Sequence, residues 1–268
     1  MTTKLEFADL LRLIEERSVV FRDTVASAAS LDVQVPTCPE WTLSDLVQHL
    51  GQVHRRWATI VTTGPADAPP TRSSSEGGAI APREREALLA WSAESTQELL
   101  GALRASGPDR DCWTWWGVSD SPQTSGAVAR HQVQEAMVHT YDAQISLGAP
   151  QPLPDDAAFD GVDEFLSTCC AGPYPWPYEP ATVDYHATEG RSWRLSLSAD
   201  GVRLTHLPRP GAPSTDPADE APDAVHVSAR GTAGELVLVL YGRVPVDSVK
   251  VDGERRVLDL LKDWDPEA

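Results

Sequence analysis

A change of hydrophobic period roughly 150 residues into the chain constrains the fold more than any other feature of the sequence. Before it, apolar residues recur every three to four positions in four long stretches, the pattern of amphipathic helices. After it, short runs alternate apolar and polar residues, the period of strands with one buried face. A chain of 268 residues with this order of patterns is expected to be an α+β protein of two domains. The first, a helical bundle, would cover residues 1–150, and the second, a small α+β domain, residues 151–268.

The helical stretches have readable ends. The first covers residues 5–29, with Phe7, Leu10, Leu11, Leu13, Ile14, Val20, Phe21 and Val25 on one side, and Pro36 and Pro39 break the pattern after it. Thr42 is placed to cap the next helix, with Asp45 in the third position and Trp41 stapling onto Leu46. Its stripe runs Leu43, Leu46, Val47, Leu50, Val53, Trp57, Ile60 and Val61. His49, three residues after Leu46 and four before Val53, is expected on the core-facing side. Residues 64–82, rich in Pro, Gly and Ser, read as a loop. A third helix, opened by Pro82, is expected over 83–105 and a fourth over about Ser125–Leu147. Between them Trp113, Trp115 and Trp116 form a cluster that either plugs the core beneath a loop or walls a pocket.

In the second half a helix is expected over Asp155–Cys169, then strands over Val183–Ala187, Ser192–Ser198 and Val202–Leu207. Ala199-Asp200-Gly201 is the hairpin signal between the last two. A Pro-rich insertion occupies 208–223. Then come a strand over Val225–Ala229, a buried helix over Thr232–Tyr241, a short strand over Val249–Val251 and a closing helix over Glu254–Trp264.

Charge excludes some functions. A net charge of -18 and a pI near 4.6 oppose binding to a phosphate backbone, which needs clustered Lys and Arg. The N-terminal residues run directly into a charged amphipathic pattern without an apolar signal core, and no stretch reaches the ~18 apolar residues of a membrane span. The expected location is the cytoplasm. Cys38, Cys112, Cys169 and Cys170 show no Cys-x-x-Cys spacing and are expected to be reduced.

The chemistry concentrates in residues 130–142. Glu135 and His139 are four apart, so their side chains lie one above the other on one helix face. His131, Gln132 and Asp142 share that side of the helix. A polar strip of this kind ordinarily faces water. However, a histidine in the apolar stripe of another helix needs a polar partner, and this strip can supply one to His49. Two histidines and one carboxylate also match the donor set of catalytic zinc sites that keep one position open. His131 and Asp142 flank the pair as second-layer groups, or His131 replaces one of the three.

The stretch Val35-Pro36-Thr37-Cys38-Pro39-Glu40-Trp41-Thr42-Leu43-Ser44-Asp45-Leu46-Val47-Gln48-His49-Leu50 resembles the opening signature of the mycothiol-dependent maleylpyruvate isomerase family. Glu135–Asp142 resembles its second metal-binding segment, and Thr232–Arg243 the end of its C-terminal domain. Gln134 stands where members often carry His, and Thr140-Tyr141 where they often carry Arg-Trp. The resemblance implies a DinB-like four-helix bundle that holds a divalent metal, usually zinc, on His49, Glu135 and His139. It implies mycothiol, bound as the thiolate, as thiol cosubstrate. It also points to a basic residue of the second domain, for which Arg243 is the candidate; a C-terminal arginine answering a helix dipole is the competing account. The expected function is a metal-dependent, mycothiol-dependent isomerase or thiol S-transferase acting on a small electrophile, as a monomer or weak dimer. A non-catalytic metal or thiol sensor on the same bundle is the alternative.

Overall fold

In the computed structural model, residues 5–70, 81–208 and 225–264 are described. The expected Pro-rich insertion falls almost entirely outside them, as do residues 71–80 of the expected loop. The chain divides into two compact units: residues 1–117 with 122–153, and residues 118–121 with 154–268. Among the described residues no helix is long and apolar enough to cross a membrane.

The first unit is built from α1 (Phe7–Ala26), α2 (Leu43–Thr63), α3 (Arg85–Ser106) and α4 (Ser125–Ser146). Between α1 and α2 lies a hairpin absent from the sequence reading, β1 (Gln34–Val35) with β2 (Cys38–Thr42). It is short enough to be built around Pro36 and Pro39, so the same prolines that signalled a break permit an edge pairing. The start of α2 follows the expected capping box: Thr42 accepts from the Asp45 amide, and the Asp45 side chain accepts from the Thr42 amide. Two orphan amides are thereby satisfied. α3 begins at Arg85 rather than at Pro82, because Glu84 caps it by accepting from the amides of Glu86 and Ala87.

α2 and α3 pack closely because Gly51 has no side chain. A Cβ there would sit 2.2 Å from Trp91 Cζ3. The Arg55 guanidinium lies 5.1 Å from the centroid of that indole and its Nε donates to Ser95 Oγ at 2.6 Å. Val35, Leu43, Leu46, Val47, Leu50, Phe21 and Leu88 are buried together in one apolar cluster. Burying a side chain of this size contributes about 1.5–3 kcal/mol. α4 is buried on nearly every side, polar residues included. The strip that an amphipathic reading assigns to solvent therefore lies inside.

The second unit opens with α5 (Asp155–Phe165), which passes into one π-helical turn at Leu166–Cys170 instead of continuing as α-helix to Cys169. Its five-stranded sheet has the order β5-β4-β3-β6-β7. β3 (Ala181–Ala187), β4 (Ser192–Ser198) and β5 (Gly201–His206) form an antiparallel meander, β6 (Val225–Gly231) runs parallel to β3, and β7 (Lys250–Gly253) closes the edge. α6 (Ala233–Leu240), capped by Thr232 and Glu235, and α7 (Arg256–Asp263) complete it. Val183, Tyr185, Trp193, Leu195, Val227 and Ala229 form the buried face, and Trp193 Nε1 donates to Asp163 of α5. On the opposite face Arg194 grips the buried Asp184 through two bonds of 2.7 and 2.8 Å.

Candidate metal centre

His49 of α2 and Glu135 and His139 of α4 converge. Each offers one ligand atom, and these atoms lie within 4.8 Å of one another. Glu135 Oε2 is 3.9 Å from His49 Nε2 and 3.4 Å from His139 Nε2. A tetrahedral zinc with bonds of ~2.0–2.1 Å holds its ligand atoms roughly 3.3 Å apart, so small side-chain adjustments bring the three into register. Glu135 Oε2 is buried and has no hydrogen-bond partner among the described residues. A carboxylate oxygen in that condition needs a cation or a donor. The donor set, two imidazole nitrogens and one carboxylate, fits a divalent metal of the zinc type.

A second layer fixes these atoms. Asp142, fully buried, takes a hydrogen bond from His139 Nδ1 at 2.8 Å and one from Thr37 Oγ1 at 2.6 Å. Thr37 bonds Oδ1, and Cys38 Sγ lies 4.0 Å from Oδ2, the oxygen that takes the His139 bond. With Nδ1–H given to Asp142, the Nε2 lone pair of His139 is the one that faces Glu135, the arrangement that raises the basicity of a ligating imidazole. Thr37 and Cys38 reach Asp142 because the β1–β2 hairpin folds back over α4. Sequence spacing located Asp142 but could not find these two partners, about a hundred positions away.

Charge follows geometry. Burial works against ionising His139, yet its bond to Asp142 and the neighbouring Glu135 carboxylate hold its pKa up at about 9. Burial likewise opposes a charged Glu135, and the neighbouring His139 and His49 outweigh it, keeping the carboxyl well below the usual range. Without an ion, His139 as imidazolium and Glu135 as carboxylate form an ion pair 3.4 Å apart.

His49 differs from expectation. It is not part of the apolar stripe but half-exposed beside it, with its ring 4.6 Å from Trp41 and 5.0 Å, edge-on, from His139. The core-facing positions of α2 run Val47, Leu50, His54, Trp57 and Val61, so the residue turned into the interior is His54, which the spacing argument passed over. His131 stays outside the trio, its Nε2 3.6 Å from Glu135 Oε1. It is boxed by Trp57, Trp115 and Trp116 with ring centroids 6.2, 5.8 and 5.3 Å away. Trp116 fits the core-plug reading of the tryptophan cluster, buried with its Nε1 donating to the Pro122 carbonyl, while Trp115 keeps 40% of its surface exposed. Arg243 belongs to the second unit, just past α6, with Nη1 donating to the Tyr241 carbonyl at 2.8 Å.

Comparison with known proteins agrees with this architecture. Residues 11–144 match the mycothiol maleylpyruvate isomerase N-terminal domain, and residues 156–260 match the C-terminal domain of the same family. No curated protein matches the sequence significantly. Two solved structures share the fold: the mycothiol-dependent maleylpyruvate isomerase, at 16% identity, and a histidine-to-alanine mutant of it, at 15%. Each aligns with a TM-score of 0.58 over 93% of this chain and 95% of the other. With both domain signatures present in order and spanning most of its length, the chain belongs to the mycothiol maleylpyruvate isomerase family of enzymes.

Proposed function

We propose that His49, Glu135 and His139 hold one divalent metal, zinc by donor type, on the helical bundle of an enzyme that uses mycothiol to act on a small electrophile. The observation that carries this reading is the convergence of three ligand atoms within 4.8 Å of one another, with Glu135 Oε2 buried, without a hydrogen bond, and facing two imidazole nitrogens. When bound there, the metal supplies a site at which a thiol is held as its thiolate, the competent nucleophile. The reaction is isomerisation or S-transfer, both of which begin with a nucleophilic sulfur.

The chain's own residues set the stage for that chemistry. Asp142 holds His139 in the tautomer with Nε2 free, and Thr37 holds Asp142. Trp41 covers one side of His49, and His131, which packs against Trp115, borders Glu135, so aromatic rings flank two of the three residues that would hold the metal. Arg243 is the candidate cation for a substrate carboxylate. Its bond to the Tyr241 carbonyl at the end of α6 favours the competing, structural account of the same residue.

Metal analysis of the purified protein tests the reading. About one zinc per chain is expected, since a tetrahedral trio of ligands forms a single centre, and it should be lost in His49→Ala and His139→Ala. Wild-type protein that neither carries nor takes up metal refutes the site. Thiol binding without turnover of any electrophile would favour the sensor over the enzyme.

A further inference from the structure

Deeper in the helical unit lies a second set of buried polar groups that take no part in holding an ion. His54 of α2 is 1% exposed. Its Nδ1 lies 3.3 Å from Thr96 Oγ1, which also receives Arg22 Nη1 at 3.1 Å and itself donates to the Ser92 carbonyl at 3.1 Å. With the hydroxyl proton on that carbonyl, its lone pairs accept from Arg22 and from the Nδ1–H of His54. His54 Nε2 is then a buried lone pair, and it has no partner among the described residues. Burial also pushes the His54 pKa down to about 3, so no second proton fills the gap.

Gln132 of α4 is fully buried, and both its amide oxygen and its amide nitrogen lack partners. It stands three residues before Glu135, hence on the same helix face one turn away. On α2, His49 lies beside Glu135 and Trp57 beside His131, so His54, between the two and turned inward, stands at the level of Gln132 on α4. Each polar atom left unsatisfied inside a protein costs about 1–3 kcal/mol, and native interiors satisfy more than about nine-tenths of such atoms. A polar interior with several convergent donors and acceptors is the setting in which proteins keep ordered water, typically with about three hydrogen bonds per molecule.

We propose that His54, Gln132 and Glu135 enclose an internal water-binding site, and that Gln132, acting through this water, is a positioning residue for Glu135. A water there accepts from Gln132 Nε2 and donates to His54 Nε2 and to the Glu135 carboxylate. The enclosed site stands on the buried groups alone; the positioning role rests on the metal reading given above.

Oxygen-17 magnetic relaxation dispersion on metal-free protein counts long-lived internal waters directly. Wild type should hold at least one more than Gln132→Leu and His54→Phe, and His54→Gln, which keeps a polar group, should retain it. Equal counts in wild type and Gln132→Leu overturn the site, and that comparison stands even if His54→Phe does not fold. Zinc competition then tests the positioning role: Gln132→Leu should bind zinc about tenfold more weakly, the size of effect seen when groups behind a metal ligand are removed, and His54→Gln should bind like wild type. Loss of the water with unchanged zinc affinity overturns that role. If wild type takes up no zinc, the metal reading and the positioning role fall together, while the water count, measured without metal, still decides the site.

Discussion

Replacing Asp142 by Ala separates the two things that this carboxylate does. It accepts from His139 Nδ1 and Thr37 Oγ1 while fully buried. Its removal leaves the buried His139 donor unpaired at about 1–3 kcal/mol and takes a partner from the half-buried Thr37 hydroxyl, which water can replace, so the metal-free protein should lose roughly 1–3 kcal/mol. That is a large share of the ~5–15 kcal/mol that holds a typical domain together. Independently, His139 loses the partner that fixes its tautomer, and zinc affinity should fall about 10–100-fold, or ~1.4–2.7 kcal/mol. Asp142→Asn keeps one acceptor oxygen and should fall between wild type and Asp142→Ala in both respects. Urea unfolding of chelator-treated protein, followed by tryptophan fluorescence, reads the first effect, and competition with a chromophoric chelator reads the second. An Asp142→Ala protein that is destabilised yet binds zinc within threefold of wild type would refute the claim that Asp142 orients a ligand.

Two further outcomes follow from the packing and charge of the same unit. His139 has a folded pKa raised from 6.5 to about 9, so in metal-free protein its contribution is complete below about pH 6.5 and is lost as pH rises through 9. The loss is on the order of 3 kcal/mol, and thermal unfolding of chelator-treated protein should show Tm falling across that window; a rise would contradict the buried ion cluster. Gly51→Ala puts a methyl group 2.2 Å from Cζ3 of a buried Trp91 ring that also stacks with Arg55; a loss of about 1–3 kcal/mol is expected, and unchanged urea stability would mean that the α2–α3 contact can yield to a methyl group.

Sequence patterns carried much of this, and where they stopped has physical reasons. Capping chemistry is local, so Thr42 and Asp45 marked the start of α2 to the residue. Helical spacing placed Glu135 over His139 because both lie on one element. Spacing could not say which way α4 faces, since a helix buried all round has no apolar side to betray it. His49 was assigned to the interior from its two flanking apolar neighbours, but the stripe of α2 is centred one position over, on Leu50 and His54. The β1–β2 hairpin was hidden by its prolines, and with it went Thr37 and Cys38. Contacts between residues so distant in sequence leave no periodic trace.

The contact by which the hairpin brings Thr37 to Asp142 bridges 105 positions of chain, and the two histidines that would share an ion, His49 and His139, lie 139 − 49 = 90 positions apart. A metal bound there is therefore a cross-link as well as a reagent. In the chain-entropy picture, tying together two points about 100 residues apart removes some 4–5 kcal/mol of freedom from the unfolded ensemble, less any strain. None of the four cysteines, all among the described residues, is joined in a disulfide, so no such bond supplies that constraint. The same three side chains that would activate a thiol would thus also staple α2 to α4, and stripping the ion should loosen the fold as well as silence the chemistry.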